Sequence, residues 1–309
     1  MTEAPRVYRR RRLALAAGVL GVVAVAAVLL GNGGPEPGTG GVAAQAPEPS
    51  QLPRGGRSIL PEHRVVAYYG APQDPQLGAL GIGRPDGAAR RLERQAGPYG
   101  RKRRPVLPAL ELIAVIATAD GGADGRYRTR QEDAVIRRYL GAARRAKALL
   151  LLDIQPGRSD FFTETTRLRK WLREPDVGLA LDPEWRVTDS EVPGQVIGRV
   201  PAREVNATSA WLDHLTARLG LPEKLFVVHQ FTDDMVDETA LKPRDNLAFV
   251  LNADGFGGRA VKRAKYHAFT RQDHGFHQGF KLFYEEDEDL MGPREVMRLR
   301  PKPDFVVYE

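Results

Sequence analysis

From residue 60 onward, short apolar runs alternate with longer segments whose apolar positions recur at helical spacing. The runs are 64–70 (RVVAYYG), 106–116 (VLPALELIAVI), 148–155 (ALLLLDIQ), 177–182 (VGLALD), 224–230 (KLFVVHQ), 247–252 (LAFVLN), 280–284 (FKLFY) and 304–308 (DFVVY). Most are continuously apolar, the pattern of strands covered on both faces. Helices are expected at 86–96, stopped by Gly97-Pro98, and at 130–146, 161–173 and 293–299. Asn206 and Ser209 offer caps to another helix, which ends at Gly220-Leu-Pro222. Two segments are less clear: ALELIAVIATA (109–119) also suits a helix, and 257–279 reads as a long loop.

Strand–helix alternation implies a parallel sheet. Eight such units in about 250 residues match the usual size of a (β/α)8 barrel. A doubly wound open sheet is the alternative, but it normally carries a Gly-rich phosphate turn. Neither G-x-G-x-x-G nor G-x-x-x-x-G-K-[ST] occurs. The expected fold class is therefore α/β, a (β/α)8 TIM-like barrel over residues 57–309.

Ahead of the barrel, residues 13–30 (LALAAGVLGVVAVAAVLL) hold no polar side chain and follow a tail, 1–12, with five arginines. At about 1.5 Å per residue this span reaches roughly 27 Å, close to a bilayer core of about 30 Å. A membrane anchor is expected, with the basic tail in the cytoplasm and the barrel outside. Removal of the segment as a signal peptide, at Ala44-Gln45-Ala46, is the alternative, and would leave a secreted protein. Residues 31–56, rich in Gly and Pro, read as a flexible linker.

Composition narrows the chemistry. The chain has 309 residues and no cysteine, which excludes disulfides, thiolate metal sites and cysteine nucleophiles. Six arginines and three acids precede residue 57, so the barrel keeps only about +4 of the formal +7. That is too mild for a nucleic-acid binder, and no nucleic-acid partner is expected. The run Arg101-Lys102-Arg103-Arg104 reads as a solvated loop rather than a polyanion site. No cofactor is expected. No metal ligand set is expected either, because HExxH and HxH are absent and His274-Gly-Phe-His277 lies in a glycine-bearing loop. Asn206-Ala-Thr208 matches a glycosylation sequon, though helix capping explains it as well.

Barrel enzymes build their sites at the carboxyl ends of the strands. Polar and aromatic residues gather there: Tyr68-Tyr69, Asp153 and Gln155, Asp182, Glu184 and Trp185, His229-Gln230, Asn252 and Asp254, Tyr284-Glu285, and Tyr308-Glu309. In a strand, i and i+2 share a face, so Asp153 points with Gln155. Asp182 points with Glu184 if the chain stays extended through Pro183, which disfavours a helical Asp182. Glu111 sits inside an apolar run, where a buried carboxyl can be held protonated and act as an acid. The 285–289 run (EEDED) reads as a solvated acidic loop, with Glu285 able to face the centre.

Paired carboxylates with aromatics, amides and a histidine suit glycoside hydrolysis, which needs an acid and a second carboxylate. Asp182 and Glu184 are the leading catalytic pair, with Asp153 and Glu111 in reserve. Tyr68, Tyr69, Gln155, Trp185, His229, Gln230, Asn252, Asp254, Glu285 and Tyr308 are candidate carbohydrate-binding residues. A noncatalytic sugar-binding barrel and a metal-assisted phosphodiester or amide hydrolase are the rival readings; the latter would use Asp153, Asp182, Glu184 and His229.

The stretches Ala67-Tyr-Tyr-Gly70, Gly125-Arg-Tyr127, Asp153-Ile-Gln-Pro-Gly157, Leu181-Asp-Pro-Glu-Trp185, Val228-His-Gln-Phe231 and Asn252-Ala-Asp-Gly255 resemble a family of exported actinobacterial proteins with a glycoside-hydrolase-like barrel. The resemblance covers about residues 60–309 and implies that fold and export, with no assigned reaction. The chitinase-type D-x-x-D-x-D-x-E signature is absent.

Overall fold

A computed structural model describes residues 50–271 and 275–309. The expected anchor at 13–30, most of the linker and His274 lie outside the described residues. No helix among the described residues is long and apolar enough to cross a membrane.

Eight parallel strands close a barrel: β1 (Arg64–Gly70), β2 (Val106–Ala117), β4 (Leu149–Ile154), β5 (Val177–Leu181), β6 (Lys224–Gln230), β7 (Leu247–Ala253), β8 (His277–Leu282) and β9 (Phe305–Tyr308). β1 pairs with both β2 and β9, which closes the ring. A short β3 (Arg128–Arg130) runs antiparallel beside the end of β2. The helices are α1 (Pro85–Ala96), α2 (Asp133–Arg145), α3 (Phe161–Arg167), α4 (Arg169–Leu172), α5 (Ala202–Arg218), α6 (Arg259–Phe269) and α7 (Pro293–Val296).

Alternation along the strands separates two cores. Val66, Leu110, Leu150, Leu179, Phe226 and Phe249 face outward and pack with helix residues such as Leu92, Ile136 and Leu212. Val65, Ala67, Leu107, Leu149, Leu151, Leu225, Val227, Val250, Phe305 and Val307 fill the interior. Each fully buried side chain of this kind contributes about 1.5–3 kcal/mol of burial free energy. The apolar interior occupies the amino-terminal half of the barrel, where Leu52, Ile59 and Leu60 plug the opening. Glu223 ties that plug down by accepting the backbone N–H groups of Ile59 and Leu60. Gly178 on β5 allows close approach, since a Cβ there would lie 2.6 Å from the Leu225 carbonyl oxygen and 2.9 Å from Leu151.

Several expectations change. The 109–119 run is strand through Ala117, settled by pairing with both β1 and β4. β8 begins at His277 and ends at Leu282, so Tyr284 lies beyond it. The segment read as a long loop contains α6, whose inward side carries Lys262 and Tyr266 rather than aliphatic residues. Asn206 and Ser209 lie inside α5, whose N-cap is Pro201. Asn206 instead clamps a neighbouring loop, donating to the Ala240 carbonyl and accepting from the Lys242 N–H. The 161–173 helix breaks at Leu168. Within the acidic run, Asp287 is buried in an ion pair with Lys262 at 2.7 Å.

At the amino end of β6, Lys224 is 1% exposed and donates to the carbonyls of Glu174 (2.7 Å) and Val177 (2.8 Å). Burial lowers its pKa from 10.5 to about 7, against the opposing pull of Asp176 and Glu174. Between those two values the unfolded chain binds the proton and the folded chain does not. Lys224 thus makes stability rise with pH there, by up to about 1.4 kcal/mol per unit. Urea denaturation at a series of pH values should show this rise for the wild type, with a flatter profile for Lys224→Met.

Candidate functional site

The interior changes character toward the carboxyl ends of the strands. Tyr69 on β1, Glu111 on β2, Asp153 on β4, His229 on β6 and Lys281 on β8 replace the aliphatic side chains below them. Asp182, Asp254 and Glu309 join from positions just beyond β5, β7 and β9. Tyr69 and Glu111 are direct register partners, as are His229 and Asn252. Gly279, opposite Asn252, leaves room for that side chain: a Cβ there would stand 2.5 Å from the Asn252 Oδ1.

Two hydrogen-bonded groups meet in this layer. In the first, the Tyr69 hydroxyl lies 3.1 Å from Asp153 Oδ2 and 3.4 Å from Asp182 Oδ2. Those carboxylate oxygens are therefore no more than about 6.5 Å apart, the sum of the two distances. Gln155 orients the phenol, donating to its oxygen at 2.8 Å while accepting the Ala117 N–H at 3.1 Å. In the second, His229 places Nε2 2.9 Å from Glu111 Oε1 and Nδ1 3.2 Å from Asp254 Oδ2. Asn252 Nδ2 lies 3.1 Å from the same Nδ1. Lys281 joins the groups: its ammonium contacts Asp254 (3.0 Å) and Glu309 (2.8 Å) and sits 4.0 Å over the Tyr69 ring.

Burial sets the electrostatics. Glu111 and Asp153 are 0% exposed, and His229 and Lys281 1%. Loss of water raises the Asp153 pKa well above the usual carboxylate range, and the Asp182 charge raises it further. Asp182 is also raised by burial, while His229 and Lys281 pull it back. Burial disfavours a charged His229, yet the Glu111 carboxylate and the bonds to Asp254 and Glu111 outweigh it and hold the pKa well above normal. Tyr69 is raised by burial and by the Asp153 and Asp182 charges, so its hydroxyl keeps its proton and donates. Glu111 Oε2, Asp153 Oδ1 and Asp182 Oδ1 accept no hydrogen bond among the described residues. Each such buried acceptor costs about 1–3 kcal/mol.

Not all the expected residues are here. Tyr68 and Tyr308 face outward, where Tyr68 meets Tyr284 and Tyr308 shares a 2.6 Å hydroxyl contact with Tyr99. Gln230 also points outward, into a separate surface cleft with Asp233, Asp237 and Glu238. Glu285 is exposed beyond β8. The chain does not stay extended after Asp182: Pro183–Trp185 forms a 3-10 turn, which breaks the same-face relation of Asp182 and Glu184. Asp182 enters the barrel cluster, whereas the buried Glu184 lies within electrostatic reach of Lys265 on α6. Trp185 is 7% exposed and offers no open stacking face.

Lys281 was missed because 280–284 reads as one apolar strand, whose end then falls at Tyr284-Glu285. The alternation Phe280-Lys281-Leu282 was the available signal. The other surprise is a set of metal-capable groups. One ligating atom each from Glu111, Asp153 and His229 lie within 4.8 Å of one another. These residues come from three strands far apart in sequence, so no short motif announces them.

A closed parallel α/β barrel, with polar and titratable groups clustered at its carboxyl end, fits a TIM-type enzyme fold. No family model matches the chain, and no curated protein matches it.

Lys281→Met would remove the buried ammonium that Asp254 and Glu309 share, leaving Asp254 its contact with His229. We expect a stability loss of about 3–5 kcal/mol in urea denaturation. Adding Glu309→Gln should recover part of it, because one uncompensated charge is removed.

Proposed function

We propose that the protein is a glycoside hydrolase-like enzyme that works by carboxylate acid–base chemistry, with Asp153 and Asp182 as the pair. The Tyr69 hydroxyl shared between their carboxyls carries this reading. Asp153, the more strongly raised of the two, is the proton donor to the leaving oxygen. Asp182, eased toward its charged form by His229 and Lys281, is the second carboxylate. Retaining glycosidases hold such groups about 5–5.5 Å apart and inverting ones about 6.5–9.5 Å. An upper limit of about 6.5 Å between the Tyr69-bound oxygens favours retention. His229, Asn252 and Gln155 supply polar groups for sugar hydroxyls. Since the cluster is closed to solvent, substrate entry requires the segments above it to move aside.

Placement outside the cell, tethered by residues 13–30, belongs to the same proposal. Its support is the apolar span behind an arginine-rich tail, which would put the barrel within reach of envelope polysaccharide.

A second reading rests on the convergence of Glu111, Asp153 and His229. Carboxylate and imidazole ligands suit zinc or manganese, and metal-assisted hydrolysis would follow. Chelation separates the two: the acid–base reading predicts full activity in a metal-free preparation.

The direct test is incubation of purified protein with envelope polysaccharides, reading new reducing ends. Asp153→Asn and Asp182→Asn should each lower turnover by about 10²–10⁴-fold with little change in melting temperature. Unchanged turnover in Asp153→Asn, or its loss only in Glu184→Gln, would refute the assignment. Polysaccharide binding without any product would favour the noncatalytic sugar-binding barrel.

A further inference from the structure

Opposite the candidate site, the amino-terminal rim of the barrel carries a groove between α1, the 97–105 loop and the end of α2. Two adjoining clefts form it, with cavity volumes of 690 and 360 Å³. Both share Arg54 and Glu93. Six cations line the groove: Arg54, Arg90, Arg101, Lys102, Arg145 and Lys147. Glu93 is the one acid in the lining, and it already pairs with Arg54 at 2.6 Å.

The cations come from four separate stretches of chain, so the basic run at 101–104 is only one part of the feature. Its members diverge. Arg101 and Lys102 line the groove, while Arg104 turns away to Asp304 at 2.6 Å. The run is an exposed turn, as a solvated loop would be, with Arg101, Lys102 and Arg103 all exposed. Arg54 is fixed at the junction of the clefts, donating to the carbonyls of Lys147 (3.1 Å) and Val106 (3.0 Å) besides its bond to Glu93. Arg145 is partly satisfied by Asp86 at 2.7 Å. Arg90, Lys102 and Lys147 are exposed and make no side-chain hydrogen bond or ion pair among the described residues.

The geometry points to a binding groove for a linear, flexible polyanion at the amino-terminal rim. Three features favour that ligand. Arg90, Lys102 and Lys147, drawn from three separate segments and left without counter-charge among the described residues, create a focused positive potential. Two connected clefts suit a chain laid across them better than a single small anion or a flat surface. No aromatic side chain lines either cleft, so the stacking platform that single-stranded nucleic acid uses is lacking. A polymer held here leaves the carboxyl end of the barrel free. This inference is independent of the proposed reaction.

The test uses the full-length chain in nonionic detergent, titrated into fluorescent inorganic polyphosphate and, separately, fluorescent polygalacturonate, with anisotropy read at rising salt. The groove variant is Arg90→Glu/Lys102→Glu/Lys147→Glu. A charge-matched control, Arg167→Glu/Arg203→Glu/Arg218→Glu, alters exposed cations on α3 and α5. The wild type should bind at least one polymer with a marked salt dependence. The groove variant should bind about tenfold or more weakly. Its slope of log affinity against log salt should fall by about 2, at roughly 0.7 per lost contact. The control should stay close to wild type. Tighter binding of polyphosphate identifies a phosphate polymer, and of polygalacturonate a carboxylate one. Binding to neither polymer, equal losses in groove and control variants, or preference for a DNA oligonucleotide over both polymers would overturn the proposal.

Discussion

The carboxyl-terminal half of the barrel is governed by one constraint: the cost of keeping carboxyl groups in a space without water. Glu111, Asp153, Asp182, Asp254 and Glu309 converge there, and Lys281 and His229 are the cations in contact with them. Burial raises the carboxyls of Asp153 and Asp182 and so favours their protonated forms. The rise is larger at Asp153. The Tyr69 hydroxyl, which also keeps its proton, ties Asp153 to Asp182. An aliphatic interior like that at the other end of the barrel would be more stable.

The surroundings hold the polar layer in place. Gln155 is anchored to the backbone of β2 and aims the phenol of Tyr69. Lys262 donates to the Lys281 carbonyl (2.8 Å) and to both oxygens of Asp287. Asp287 in turn accepts the N–H groups of Phe283 and Gly257. The connection after β8 is thereby locked to α6, and Lys281 has little freedom to leave its carboxylates. Below, the aliphatic interior and the Leu52–Leu60 plug keep water from the amino-terminal side.

Much of this was legible in the sequence. Continuous apolar runs such as Leu149–Leu152 belong to strands covered on both faces, and their number and spacing match the closed barrel. The strand-end rule brought Tyr69, Asp153, Asp182, His229 and Asp254 into view, because strand alternation carries that information. It failed where the backbone left the strand. Pro183 opens a 3-10 turn, so the spacing of Asp182 and Glu184 lost its meaning. Tyr68, Gln230 and Tyr308 stand beside inward positions, and one step along a strand reverses the face. Lys281 and the inward side of α6 stayed hidden because lysines occupy positions where apolar residues are usual. The meeting of Glu111 with His229 required the closure of the ring, which no local pattern encodes.

Burial holds the proton on Asp153 more strongly than on Asp182, although both carboxyls are raised. Carbon-13 NMR of aspartate carboxyl groups, followed across pH, observes this directly. The account predicts one buried carboxyl that stays protonated at neutral pH, and whose signal disappears in Asp153→Asn. Complete ionisation of every aspartate by mildly acidic pH would contradict it.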